Sequence, residues 1–442
     1  MRKIRLRVLK RFPALSRVFH TACPGTVLMV SLAAIFAVGI TSCQGNPEEK
    51  QPDAGQSPRS SEAQPDAGQS PQSSEAQPDA GDTQLQAKKQ RIAADSQKII
   101  KCYASIIRQA KKEAYTDTFK LQQDIISCLG KSGYIAVDLD NQIDMANYQQ
   151  AEQFCQSAMK GEKAKATLLL VMDNGGFIRY DLASEDKKLA VTVSSVFLGD
   201  EEDGAGYFET FTASSWSYTK KGYLLFEQYH MSGFDGPPGQ TAIRIRPLDE
   251  TCRELNRKYV LPLGYRGHKL LISDWDGKDY GELDFYDLYE VMYTMKYGKD
   301  VPYADEYTRV QYEVPEEDFE EPIQTYLDAD SALIRANTVY HADSRSYRYR
   351  PRGLYDSIEP YEPYPEVTAY ERQEDGKLKL TVEAVWALKD SDCAMTSELV
   401  VRPLKNGRFQ YVSNRVVSVS KDMERLWYKP RLTDGEWERL TQ

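Results

Sequence analysis

The run Thr167-Leu168-Leu169-Leu170-Val171-Met172-Asp173-Asn174-Gly175-Gly176-Phe177-Ile178-Arg179-Tyr180-Asp181-Leu182 points to the fold class. Two apolar stretches of strand length flank Asp-Asn-Gly-Gly, which supplies the residues a tight hairpin needs. Strand-like runs continue at 189–197, 207–218, 223–229 and 241–246, with Lys220-Lys221-Gly222 as a further turn. Strand follows strand through turns, so the expected sheet is an antiparallel meander and not an alternating βαβ array. Upstream, 88–116, 116–129 and 147–159 carry apolar residues near a 3.6-residue period and read as helices. Asn147 stands where the third would be N-capped, with Gln150 as its capping-box partner.

A second module follows the same order. Residues 248–259 and 285–297 read as helices, Gly298 closing the latter, and Pro315 opens a helix to about 333 that Pro322 would kink. Four strands are expected at 366–372, 377–388, 397–403 and 408–417, with Asp375-Gly376 and Asn406-Gly407 as turns. Leu380, Val382, Ala384 and Trp386 alternate toward a core. The expected architecture is α+β. It comprises two helix-plus-meander modules, 91–247 and 311–420, joined by a helical connector at 248–310 and followed by a tail at 421–442. A curved antiparallel sheet packed on a helix resembles the cystatin-like and NTF2-like folds, a likeness that brings no function with it.

The N-terminal region is of another kind. Arg2, Lys3, Arg5, Arg7, Lys10, Arg11 and Arg17 precede an apolar run from Val27, with no acidic residue among them. As a helix that run spans about 23 Å, short of the ~30 Å of a hydrocarbon core. It ends at Ile40-Thr41-Ser42-Cys43, which resembles the lipobox of bacterial lipoproteins. The resemblance implies removal of residues 1–42 and acylation of Cys43, and hence an extracytoplasmic protein anchored to the cell membrane. Two or more acyl chains hold far more firmly than one. An uncleaved signal anchor with an idle Cys43 is the alternative. Residues 43–90 then repeat Gln-Pro-Asp-Ala-Gly, without an aromatic residue before 90. Such a segment reads as a disordered linker with a span on the order of 40 Å.

Charge narrows the partners. The chain carries a formal −10, and loss of residues 1–42 removes seven basic groups and no acidic one, leaving −17. Nucleic acid and anionic lipid are disfavoured. After Cys43 the cysteines are Cys102, Cys128, Cys155, Cys252 and Cys393. An odd count without close pairs is no disulfide framework. The three in helical patterns read as buried small apolar residues, and one bridge is open to a pairing that spacing does not choose.

Several stretches resemble an uncharacterised lipoprotein family of anaerobic Gram-positive gut bacteria. They are Asp144-Met145-Ala146-Asn147, Gly175-Gly176-Phe177-Ile178-Arg179-Tyr180, Leu248 through Asn256, and Tyr349-Arg350-Pro351-Arg352-Gly353-Leu354. The likeness covers about 130–418; it implies an envelope address and supplies no catalytic residues.

Chemistry is sparsely signalled. His230, His268 and His341 lack a second His or Cys at zinc-ligand spacing. No nucleophile elbow, Walker loop or dinucleotide fingerprint occurs. The acidic run from Asp274 places Asp276, Asp284 and Asp287 at calcium-loop positions. Lys278 and Tyr280, however, stand where carboxylate ligands are needed, and Asp284 reads equally as a helix cap. Tyr347, Tyr349, Arg350 and Arg352 combine amphipathic rings with planar donors, which suits protein or glycan recognition; a twisted edge strand over a small core is the other reading. The expected function is a non-catalytic, partner- or ligand-binding envelope lipoprotein without a cofactor. Importer-type solute binding and an unrecognised hydrolase are the alternatives.

Overall fold

The computed structural model describes residues 80–441, apart from 113–117, 199–203, 304–309, 354, 359–360 and 421–426. The expected signal peptide at 1–42, the acylated Cys43 and the linker as far as residue 79 lie outside the described residues.

The first helix, α1 (Ala80–Lys112), begins within the expected linker. Residues 84–90, Gln-Leu-Gln-Ala-Lys-Lys-Gln, are all good helix formers, and Lys88 Nζ donates to Thr192 Oγ1 at 2.7 Å. Helix α2 (Thr118–Lys131) packs beside it. Strand β1 (Ile135–Asp138) and the short β2 (Met145–Ala146) precede α3 (Tyr148–Met159). Four strands follow: β3 (Ala164–Val171), β4 (Phe177–Glu185), β5 (Lys188–Phe197) and β6 (Gly204–Thr212). The six strands form one sheet in the order β2-β1-β3-β4-β5-β6. It is antiparallel except where β1 runs parallel to β3, with α3 as the crossover between them. Sequence periodicity passes over β1 because four residues are too few to display it.

The second half of β3, residues 168–171, is an unbroken apolar run because both its faces are covered. Leu169 and Val171 face α1 and α2, in a core with Ile99, Tyr103, Ile125, Ile126 and Leu129. Leu168 and Leu170 face the other way, toward Ala151, Phe154, Cys155 and Ala158 of α3. Asn147 does not cap α3 with its side chain. It sits in the left-handed region, and its Nδ2 donates to the carbonyls of Gly130 and Tyr134, tying α2 to β1.

The strand expected over 207–218 is two strands in two sheets. Ala213 N still donates to Leu189 O, whereas Ser214 N donates to Glu227 O. From there β7 (Ser215–Tyr218), β8 (Tyr223–Glu227) and β9 (Gln240–Arg244) make a separate antiparallel sheet. Leu224 and Phe226 of β8 join the α3 core, while Tyr223 and Leu225 meet Val385 of the C-terminal half. This small sheet therefore joins the two halves.

In the C-terminal half, α4 (Glu250–Leu255) runs into a π-helical turn at Asn256–Val260. After the short β10 (Trp275–Asp276) comes α5 (Phe285–Tyr297), capped by Asp284 and closed by Gly298 at φ 63°. The expected helix to 333 is instead β11 (Tyr312–Pro315), α6 (Glu316–Tyr326) and α7 (Ser331–Ala336). Pro322 is carried inside α6 without splitting it. The break comes at Leu327, whose backbone is extended, and Asp330 caps the next helix. The two-residue β12 (Tyr340–His341) and β13 (Ser346–Tyr349) complete a sheet of order β11-β13-β12.

The final meander is β14 (Tyr364–Arg372), β15 (Leu378–Trp386), β16 (Ser391–Pro403) and β17 (Phe409–Val419), in a sheet of order β10-β17-β16-β15-β14. Leu380, Val382, Ala384 and Trp386 point into one large core. That core also takes in Cys252, Tyr259, Leu270, Trp275 and Met292, all from the expected connector. Trp427, from the described part of the expected tail, joins it too. Trp427 is buried against Trp386 and Tyr265, with ring centroids 4.7 and 5.9 Å away, before α8 (Asp434–Thr441) begins. The whole is the expected α+β class, with mainly antiparallel sheets.

Candidate functional site

The residues expected to form a recognition surface are largely interior. Strand β13 is central in its sheet, and its alternation puts Tyr347 and Tyr349 on the face covered by α5 and α6. Tyr347 stacks on Phe319 with centroids 4.5 Å apart and hydrogen-bonds Glu320. Tyr349 OH donates to Glu290 at 2.5 Å. Both rings are fully buried, so they are not a binding surface. Arg350 lies on the opposite face, paired with Asp434 and set over the Trp437 ring. Arg352 is buried and gives two N–H groups to Asp287. The Tyr/Arg pattern reports a strand packed on one face and ion-paired on the other.

The calcium reading fails at the same place. Asp276 accepts from the N–H groups of Lys278 and Asp279, turning its own loop, and Asp284 caps α5. Asp287 is held by the Arg352 and Arg431 guanidiniums and accepts from Tyr428 OH, so its oxygens are already taken. Burial raises its carboxyl to about 6 against the pull of those arginines. Among the described residues no group of three His, Cys, Asp or Glu side chains could hold a metal.

The histidines do not assemble a catalytic set. His268 is buried: Nδ1 accepts from Leu270 N, so Nε2 carries the proton and donates to Leu263 O at 3.0 Å. Burial lowers it to about 4. His341 lies 3.1 Å from Glu313 on an exposed edge, and Ser346 Oγ donates to the same carboxylate oxygen at 2.6 Å. A nucleophile must bond the imidazole, and here serine and histidine both bond the acid. Asp138 is pushed up to about 7 by burial, yet its two oxygens accept from Asn141 N and Asp144 N and fix a turn.

The side chains presented to solvent are elsewhere. The segment 228–239 between β8 and β9 exposes Tyr229, Met231 and Phe234 at 73%, 77% and 52%. A short hairpin needs two to five residues, so this insertion is long for its task. Its base is fixed. Gln228 N donates to Gly239 O at 3.0 Å, and Gln228 Nε2 donates to Glu209 of β6 at 2.6 Å. Gln240 Nε2 donates to Glu227 at 2.9 Å. Gly239 is required by close approach, since a Cβ there would lie 2.1 Å from Gln228 O. At the tip, the His230 and Phe234 rings pack with centroids 3.9 Å apart and their planes tilted by 33°, and Gly233 turns at φ 85°. The surroundings are acidic: Glu209, Glu227 and Asp235, with no Lys or Arg between 228 and 239. Sequence reasoning ended the strand at 229 and assigned the rest no role. The signal was present in Met231 and Phe234, large apolar residues beyond the expected strand end that precede Pro237-Pro238.

A protein-family model matches residues 89–431 of the chain. The chain belongs to a family of unknown function, DUF6070. The DUF6070 match starts within α1, spans both halves and the β8–β9 segment, and ends at Arg431, the residue that reaches back to Asp287. No curated protein and no solved structure matches it.

Proposed function

We propose that this DUF6070 chain is an extracytoplasmic lipoprotein, anchored by acylated Cys43, that binds a partner protein through the β8–β9 segment and performs no chemistry of its own. The observation that carries the reading is the exposure of Tyr229, Met231 and Phe234 on a base fixed by Gln228 and Gly239. Aromatic and Met side chains are enriched at interfaces, and a pre-organised loop loses little entropy on docking. The acidic surroundings select the partner's chemistry: an apolar pocket edged by basic side chains. The Ile40-Thr41-Ser42-Cys43 sequence after a basic and then apolar run supports cleavage at Cys43, and the repeat after it supports a long tether.

The test is capture from envelope extracts by crosslinking, with wild type beside Tyr229→Ser/Met231→Ser/Phe234→Ser. Capture of one species is expected to be lost in the variant while its melting temperature stays. Equal capture by both proteins refutes the assignment to this segment. Binding of non-acylated protein to neutral vesicles, lost in the same variant, would assign the segment to a bilayer instead. Binding on a glycan array that the variant keeps would move recognition to another surface. The anchor is checked separately by mass spectrometry of the native N-terminus, where an unmodified residue upstream of Cys43 on membrane-derived protein refutes it.

A further inference from the structure

The structure brings two of the five cysteines after Cys43 together. Cys102 on α1 is exposed and Cys128 on α2 is half-buried, where the sequence reading expected both to be buried. Cys128 Sγ lies 3.2 Å from the backbone oxygen of Cys102. The Cys102 thiol turns along its own helix toward Lys98 O at 3.5 Å, and both cysteines are free thiols. Contact of Cys128 Sγ with the Cys102 main chain sets the two residues side by side where α1 packs on α2, and a bridge requires the Cys102 thiol to leave Lys98 O by rotation about χ1. Reagent has access. A groove of about 380 Å³ between the helices, lined by Ile106, Leu121, Asp124, Ser127 and Cys128, opens on that thiol. The other cysteines are placed differently. Cys155 and Cys252 are buried in the two cores, and Cys393 sits in β16 with its thiol 3.4 Å from Thr396 Oγ1.

We infer that Cys102 and Cys128 are an oxidisable pair that closes a disulfide between α1 and α2. The oxidant is a small-molecule disulfide of the glutathione class. One cysteine thiolate attacks a sulfur of the oxidant and breaks its S–S bond, releasing one glutathione thiolate. The second cysteine thiolate then attacks the mixed disulfide, forming the Cys102–Cys128 bond and releasing the other glutathione. Two protein thiols are oxidised, one glutathione disulfide is reduced, and the two protons end on the released thiols. The bond ties α1, the first described helix, to the body of the fold.

The test uses the full chain, equilibrated with glutathione disulfide under native conditions, alkylated, digested and examined by mass spectrometry. A crosslinked peptide joining Cys102 to Cys128 is expected, with Cys155 and Cys252 recovered as thiols after unfolding. The melting temperature should rise on oxidation and return with dithiothreitol, and neither change should occur in Cys102→Ala or Cys128→Ala. Cys102 is exposed, so its alanine variant folds. Glutathione adducts on both cysteines without a crosslink, or a crosslink from either to a third cysteine, would overturn the inference. So would an oxidation-induced stabilisation that persists in Cys102→Ala.

Discussion

Glu366→Ala should destabilise the fold more than its single side chain suggests. Glu366 of β14 and Arg244 of β9 are each 3% exposed and face each other across the junction of the two halves. Arg244 Nε reaches Glu366 Oε1 at 2.6 Å, a second guanidinium nitrogen takes the other oxygen, and Tyr223 OH donates to the same carboxylate. Tyr364 OH in turn donates to Tyr223 OH at 3.1 Å. Removing the acid leaves a buried guanidinium without its counter-charge, a change that costs about 3–5 kcal/mol. Arg244 keeps the carbonyls of Lys221 and Arg246, at 3.3 and 2.8 Å, which favours the lower end, about 3 kcal/mol. Urea unfolding at 25 °C should show the midpoint falling by roughly 1 M or more. Arg244→Met/Glu366→Leu, which removes both charges and fills the space, should recover most of the loss. If the double variant is as unstable as Glu366→Ala, the loss comes from packing and the charge argument is wrong.

Three further outcomes follow from the geometry. His268 is held neutral with a pKa of about 4 against 6.5 when free. Its contribution to stability is therefore full above pH 6.5 and is lost as pH falls toward 4, at about 1.4 kcal/mol per pH unit. His268→Gln should remove that slope from the wild-type-minus-variant difference, and parallel stability curves would refute the assignment. Gly239→Ala should drive a Cβ into the Gln228 carbonyl, lower stability by about 2 kcal/mol and abolish partner capture; an unchanged urea midpoint would mean the loop base is not fixed as described. Millimolar calcium should leave the urea midpoint unchanged, because Arg352 and Arg431 already hold Asp287; a rise would restore the metal reading.

What could be read from the sequence is what depends on neighbours along the chain. The Asp375-Gly376 and Asn406-Gly407 turns, the β15 alternation and the α5 span with its Asp284 cap and Gly298 closure are all local, and all are present. What failed depends on contacts between distant segments. A Tyr/Arg alternation looks the same whether the tyrosines face solvent or Phe319, and α6 decides that. An acidic turn looks the same until arginines from 352 and 431 arrive. Asn147 is a good cap by type, but Gly130 and Tyr134 claim its side chain. The β8–β9 segment was missed for the opposite reason. Periodicity finds what is buried, and this stretch is distinguished by apolar side chains that are not.

The burial of Trp427 and Arg431 sets an order on synthesis. A chain made from its N-terminus has every core residue of the first half once Ile245 has emerged, since the cores around α1, α2 and α3 draw on nothing later. The second half has no such stage. Asp287 has only Arg352 as its cation until Arg431 is made, and Trp386 waits for Trp427. The Tyr223, Leu225 and Ala242 face of the small sheet likewise waits for Val385 of β15. A nascent chain halted between residues 245 and 431 thus carries one half with its core complete and one that lacks its last partners. It would offer proteases an unambiguous sign that translation was interrupted.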